Sequence, residues 1–195
     1  MFNIFKHAMG IRRNMESRTV FFDIETTDLR ANIGHVLVVC MLPLDTEKVE
    51  VFRLDNPRYR MQKKYDDSKL LLSVREYLEQ SFCWCTWNGK MFDIPFLNSR
   101  LLLNGNETIR PRMHIDLMYY ARRPFLQITS SRLAAVAKAF ELTNQKDEFD
   151  YKPWQAAEHL EKWSMDYVAD HCVKDVTVLK EAFGVLSPFI KNIHC

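Results

Sequence analysis

The chain has 195 residues, 47% of them hydrophobic and 27% charged, with a formal net charge of +2. That length and composition fit one soluble globular domain whose core needs no disulfide or metal staple. No apolar run approaches the ~20 residues of a membrane span, and the small net charge implies no strongly basic tail or surface, so nucleic-acid contact would come from local patches.

Residues 1–18 carry Lys6, Arg12, Arg13 and Arg18 against one acid, Glu16. They lack an apolar h-region, so they read as a basic N-terminal arm rather than a secretory signal, with a transit peptide as the alternative. The domain then runs over 19–195. Five cysteines are present (Cys40, Cys83, Cys85, Cys172 and Cys195), an odd number without a C-x-x-C pair. That pattern points to a reducing, cytoplasmic setting rather than secretion.

The stretch Thr19–Thr27 opens with Val20, Phe21 and Phe22, which favour a buried strand. Asp23 and Glu25 follow at a spacing of two, which puts both carboxylates on one face of that strand. Two anions so close repel unless a cation lies between them, and the simplest is a hard, oxygen-seeking ion such as Mg²⁺ or Mn²⁺. The plain alternative is two solvated acids at a strand end. A turn at 30–34, an apolar run at 35–42, a turn at 43–48 and a strand at 49–52 complete an antiparallel meander. Residues 56–67 form a polar loop with Arg58, Arg60, Lys63, Lys64, Tyr59 and Tyr65, either solvated or fit to touch a phosphate backbone.

Apolar positions 70, 71, 74 and 78 predict a helix over 68–80. A strand at 82–87 is broken by Asn88-Gly89, and a helix follows over 92–103 with Pro95 in its first turn. Residues 113–117 read as a short fifth strand, and a short helix from 118 stops at Pro124. Ser130 or Ser131 is placed to cap a helix over 133–140. A polar connection spans 144–152, and a helix is expected over 153–163. Met165, Val168, Cys172, Val176, Leu179 and Phe183 recur at three- and four-residue steps and form the core stripe of a long last helix. This order predicts an α/β fold: a mixed five-stranded sheet, antiparallel meander first and parallel strands later, with helices on both faces.

Two further acids stand at element ends. Asp93 lies where the fourth strand hands over to a helix, a place that favours ligand sites but also suits a plain helix cap. Asp175 sits four residues after His171 on the last helix, so the two share a face. Alone they would be an ordinary surface pair. Together with Asp23 and Glu25 they make four acids at the ends of hydrophobic elements, with a titratable His beside the last.

Asp-Ile-Glu-Thr-Thr at 23–27, Asn-Gly-Lys-Met-Phe-Asp-Ile-Pro-Phe-Leu at 88–97 and His-Cys-Val-Lys-Asp-Val at 171–176 resemble the three motifs of the DEDD 3′–5′ exonuclease superfamily, whose fold is ribonuclease H-like. Met113–Leu117 and Ser131–Ala137 look like the middle of family B DNA polymerase proofreading domains and their stand-alone relatives. One departure stands out: the superfamily places a Tyr four positions, or a His five, before the last Asp, and here His171 stands at four. Tyr167, one turn earlier, is the rival.

The resemblance implies a three-layer ribonuclease H-like domain that hydrolyses DNA from single-stranded or frayed 3′ ends with two Mg²⁺ or Mn²⁺ ions. Asp23, Glu25, Asp93 and Asp175 are the implied ligands, Asp23 bridging, with His171 as general base. Thr26, Asn88, Lys90, Phe92 and Arg132 are candidate substrate contacts, helped by Arg122 and Arg123. Asp116 and Tyr167 are candidate supports. A polymerase or other replication component is a conceivable partner. The alternatives are an exoribonuclease with the same site, a structure-specific endonuclease, or an inactive nucleic-acid-binding module.

Overall fold

The computed structural model describes residues 19–63, 65–144 and 150–190. The basic arm at 1–18, Lys64 and Cys195 lie outside the described residues. Strands β1 (Thr19–Thr26), β2 (Val36–Pro43), β3 (Glu50–Arg53), β4 (Cys83–Thr86) and β5 (Met113–Asp116) form one sheet in the order β3-β2-β1-β4-β5. β1–β2 and β2–β3 pair antiparallel, whereas β1–β4 and β4–β5 pair parallel. The expected meander followed by parallel strands is therefore present. The helices are α1 (Ser68–Gln80), α2 (Asp93–Leu103), α3 (Leu117–Tyr120), α4 (Leu133–Ala139), α5 (Tyr151–Ala157) and α6 (Lys162–Leu186).

Strand alternation divides the core in two. Val20, Phe22 and Ile24 of β1 join the cluster under α1 and α2, built on Leu70, Val74, Leu78, Phe96, Leu97 and Leu101. Phe21 points the other way, into the cluster formed with α3, α4, α5 and α6. Asp23 and Glu25 have the parity of Phe21, so they face α6. Phe21 and Phe22 are fully buried, each contributing roughly 1.5–3 kcal/mol. A one-residue slip of β1 would exchange Phe22 with Asp23 and lose that contribution, so packing fixes which face carries the acids.

Two details depart from expectation. The helix expected over 153–163 ends at Ala157, and the chain turns before α6 starts at Lys162. Leu160 takes a left-handed backbone (φ 57°) within that turn and packs against both core clusters. Tertiary burial holds a conformation that β- or γ-branched residues adopt rarely, and neither Gly nor Pro marks it in sequence. At α4 the cap is Arg132, whose side chain makes no capping bond; the Ser130 hydroxyl, two residues before the cap position, accepts from the Arg132 N–H at 3.2 Å.

Candidate active site

β1 outruns its parallel partner. β4 pairs with it only through Thr19, Val20 and Phe21, so the last residues of β1 meet a gap on that side. On the other side the register with β2 shifts between Glu25 and Thr26, so the strand end leaves the regular ladder. α6 crosses above this end and supplies the remaining groups.

Three facing residues of α6 meet β1. The ligating atoms of Asp23, Glu25 and Cys172 lie within 4.8 Å of one another, and so do those of Glu25, His171 and Asp175. Glu25 is common to both groups, the place the sequence reading gave to Asp23 as bridging ligand. Asp23 and Glu25 are half-buried, whereas His171, Cys172 and Asp175 are buried. The His171 Nε2 stands 3.8 Å from Asp175 Oδ2. The Trp154 and His171 rings stand nearly perpendicular with centroids 5.0 Å apart, and the Trp154 and Tyr167 rings with centroids 5.8 Å apart. Tyr167 thus belongs to the packing behind His171.

The sequence pattern places Cys172 only in the core stripe of the helix. Its Sγ lies 3.5 Å from the Asp23 carbonyl oxygen and 3.9 Å from Asp23 Oδ2. Burial, with Cys40, Asp23 and Glu25 close by, pushes the thiol well above its ordinary range. The sulfur therefore keeps its proton and donates weakly to Asp23.

Asp93 joins neither donor group. It is the first residue of α2, after Phe92 at the cap position, and is buried. Its carboxyl accepts from its own N–H and from the Ile24 N–H, which the end of β4 leaves free; burial, with Asp116 adding to it, pushes its pKa up to about 7. The expected fourth ligand thus lies against the backbone between Asp23 and Glu25, on the gap side of β1.

Asp116 is a clamp. Its Oδ1 accepts from Asn88 N–H (2.9 Å) and Met118 N–H (3.2 Å), and its Oδ2 from Lys90 N–H (3.2 Å). Asn88 sits at φ 68°, a conformation Asn tolerates better than most residues. A Cβ on Gly89 would come within 2.5 Å of the Thr86 hydroxyl, so only glycine fits beside β4. This explains the Asn-Gly pair in the second motif. Phe92 packs its ring 5.6 Å from Phe96. Thr26 donates its hydroxyl to the Asp28 carbonyl at 2.9 Å, and Arg122, Arg123 and Arg132 are exposed.

Sequence reasoning passed over Asp67 and Arg100. Asp67 is fully buried; it accepts from Val36 N–H at 3.0 Å, from Arg100 at 2.8 and 3.0 Å, and from Asn104 at 3.0 Å. Arg100 also donates to the Ala31 carbonyl at 3.1 Å. The pair ties the loop after β1 to α2. Its partners are separated by 33 residues, so no local pattern reveals it. Beside that loop lies a cleft of about 290 Å³ lined in part by Thr27, Asp28, His35, Tyr65 and His159.

The donor chemistry fits divalent cations, because two half-buried carboxylates and a third buried one converge where their charges would otherwise repel. The chain belongs to the RNase_H superfamily, whose family model matches residues 20–182. A stretch of 150 residues is 29% identical to "DNA polymerase III PolC-type" of Ureaplasma parvum serovar 3, covering 67% of this chain and 10% of that protein. The structure of the family B DNA polymerase from the hyperthermophilic archaeon Pyrobaculum calidifontis superposes with a TM-score of 0.66 at 18% identity, over 89% of this chain and 25% of that one. The fold is thus the RNase H-like fold expected from the motifs, and the chain spans about a tenth of the length of the polymerase relative.

Proposed function

We propose that this domain is a metal-dependent 3′–5′ exonuclease acting on DNA. The observation that carries the reading is the pair of donor groups meeting at Glu25, at a strand end that outruns its parallel partner. Membership of the RNase_H superfamily supports hydrolysis of phosphodiesters, and the polymerase relatives favour DNA over RNA. Two divalent ions would supply an activated water and a stabilised leaving oxygen for in-line displacement. Asp23, Glu25 and Asp175 would hold them, with Asp93 beside the Ile24 backbone on the gap side of β1. Lys90, Arg122, Arg123 and Arg132 hold backbone phosphates, while Thr26, Asn88 and Phe92 line the approach to the strand end. Asp116 keeps the 88–90 loop in place. A polymerase or another replication component is the partner this reading favours, in a reducing, cytoplasmic setting.

The test is a ladder assay of the purified chain on end-labelled single-stranded DNA and RNA with Mg²⁺ or Mn²⁺. DNA shortened stepwise from the 3′ end, and protected by EDTA, is the expected result. Faster shortening of RNA would transfer the reading to an exoribonuclease, and cutting of circular single strands would make it an endonuclease. Intact substrates with every divalent ion would overturn it.

A further inference from the structure

We infer that His171 is a metal ligand rather than a proton acceptor: with Glu25 and Asp175 it forms a mixed nitrogen–oxygen site that favours Mn²⁺ or another transition divalent ion over Mg²⁺. The inference rests on the reading of this site as metal-dependent and specifies its cofactor.

Three observations converge. First, one ring nitrogen of His171 and one oxygen each of Glu25 and Asp175 lie within 4.8 Å of one another. Second, the 3.8 Å between His171 Nε2 and Asp175 Oδ2 is too long for a hydrogen bond. It is close to the spacing of two ligands on one ion: donors 2.0–2.2 Å from a shared metal, at ordinary angles, lie roughly 3.0–3.7 Å apart. A shift of a few tenths of an ångström brings this pair to ligand spacing, with a Glu25 oxygen within 4.8 Å of both. Third, the imidazole is held in place. It is 7% exposed, the Trp154 ring stands edge-on to it at 5.0 Å and 87°, and the i, i+4 spacing on α6 puts it on the face that carries Asp175. A fixed ring with a nitrogen at ligand spacing loses little freedom when an ion binds.

The choice of ion follows from donor chemistry. Mg²⁺ prefers oxygen ligands and near-ideal octahedral geometry, whereas imidazole suits the transition divalent ions and its affinity rises along the series from Mn²⁺. Replacing one oxygen of an all-carboxylate site by a nitrogen therefore shifts the preference away from Mg²⁺. A nitrogen whose lone pair binds an ion cannot also accept a proton from water, so the general-base part expected for His171 gives way to ion binding.

The experiment is pulsed electron paramagnetic resonance on the full chain loaded with Mn²⁺. An imidazole ligand adds ¹⁴N modulation to the Mn²⁺ echo. Wild-type protein grown on [¹⁵N]histidine should move that modulation to the ¹⁵N frequency, a control that needs no substitution. His171→Gln should remove it, weaken Mn²⁺ binding by about 10-fold or more and change Mg²⁺ binding far less. Bound Mn²⁺ without nitrogen modulation, or modulation that survives His171→Gln, overturns the inference while leaving the nuclease reading intact. Failure of the wild type to bind Mn²⁺ at all overturns both.

Discussion

The carboxylates of β1, the one that ends β5 and the one that opens α2 after β4 are used in opposite ways. Asp23 and Glu25 are half-buried and converge with α6 on two groups of potential ligands. Asp116 spends its oxygens on three backbone N–H groups, and Asp93 accepts from two. The difference comes from the sheet. At the β1 end the parallel partner stops early and a long helix brings further donors. At the β4 and β5 ends the chain turns away, Asp116 satisfies the turning backbone, and Asp93 satisfies its own N–H and the Ile24 N–H that β1 leaves unpaired. An acid at a strand end is therefore either chemistry or scaffolding, according to how many N–H groups the local turn leaves unpaired.

The sharpest break of that comparison is by activity. Asp175→Asn keeps the size of the side chain and removes a charged ligand, so cleavage in the ladder assay should fall by about 10²–10³-fold, the scale of losing a group that stabilises transition-state charge. Retention of a tenth of wild-type activity would move Asp175 to the scaffolding side. The counterpart is Asp116→Ala, which strands the N–H groups of Asn88, Lys90 and Met118. Urea unfolding without metal should show a loss of roughly 2–4 kcal/mol, and a loss under about 0.5 kcal/mol would remove the clamp from the account.

A smaller effect tests Asp93 through pH. Burial, with Asp116 nearby, pushes its pKa up to about 7, from the ordinary carboxylate value of 3.8. Between those values the folded chain holds a proton that the unfolded chain has released, so the contribution of this group to stability falls as pH rises through the window and levels above it. Melting curves of metal-free wild type and Asp93→Asn should accordingly diverge in favour of the variant from about pH 4 to about pH 7. Parallel curves across that range would mean that Asp93 is ionised throughout.

Much of this was legible in the sequence because hydrophobic period reports burial directly. The five strands, their split into meander and parallel pair, and the stripe of α6 follow from apolar spacing, and the parity of Asp23 with Phe21 is enough to put the acids on one face. What stayed hidden depends on distance in three dimensions. The Asp67–Arg100 pair joins residues far apart in the chain, and each looks like an ordinary loop or helix charge. Cys172 hides within the apolar stripe it helps to form. Asp93 and Asp116 carry the same sequence signal as Asp23, and only the backbone groups around them show what they bind. The turn at Leu160 escapes because packing, not turn chemistry, holds it. The part of His171 depends on a separation of a few ångströms from Glu25 on another element, which motif spacing along one helix cannot report.

Thermal unfolding of wild type and Asp23→Asn, each with and without Mn²⁺, tests the division of labour most directly. If β1 carries chemistry, removing one of its crowded charges relieves repulsion. Asp23→Asn should then melt at the same temperature as metal-free wild type or slightly above it. Wild type should gain several degrees at Mn²⁺ well above its dissociation constant, where binding adds about 2.7 kcal/mol at a 100-fold excess over that constant, and the variant should gain much less. A metal-free variant that melts far below wild type, yet gains as much from Mn²⁺, would place Asp23 with the scaffolding and contradict the account.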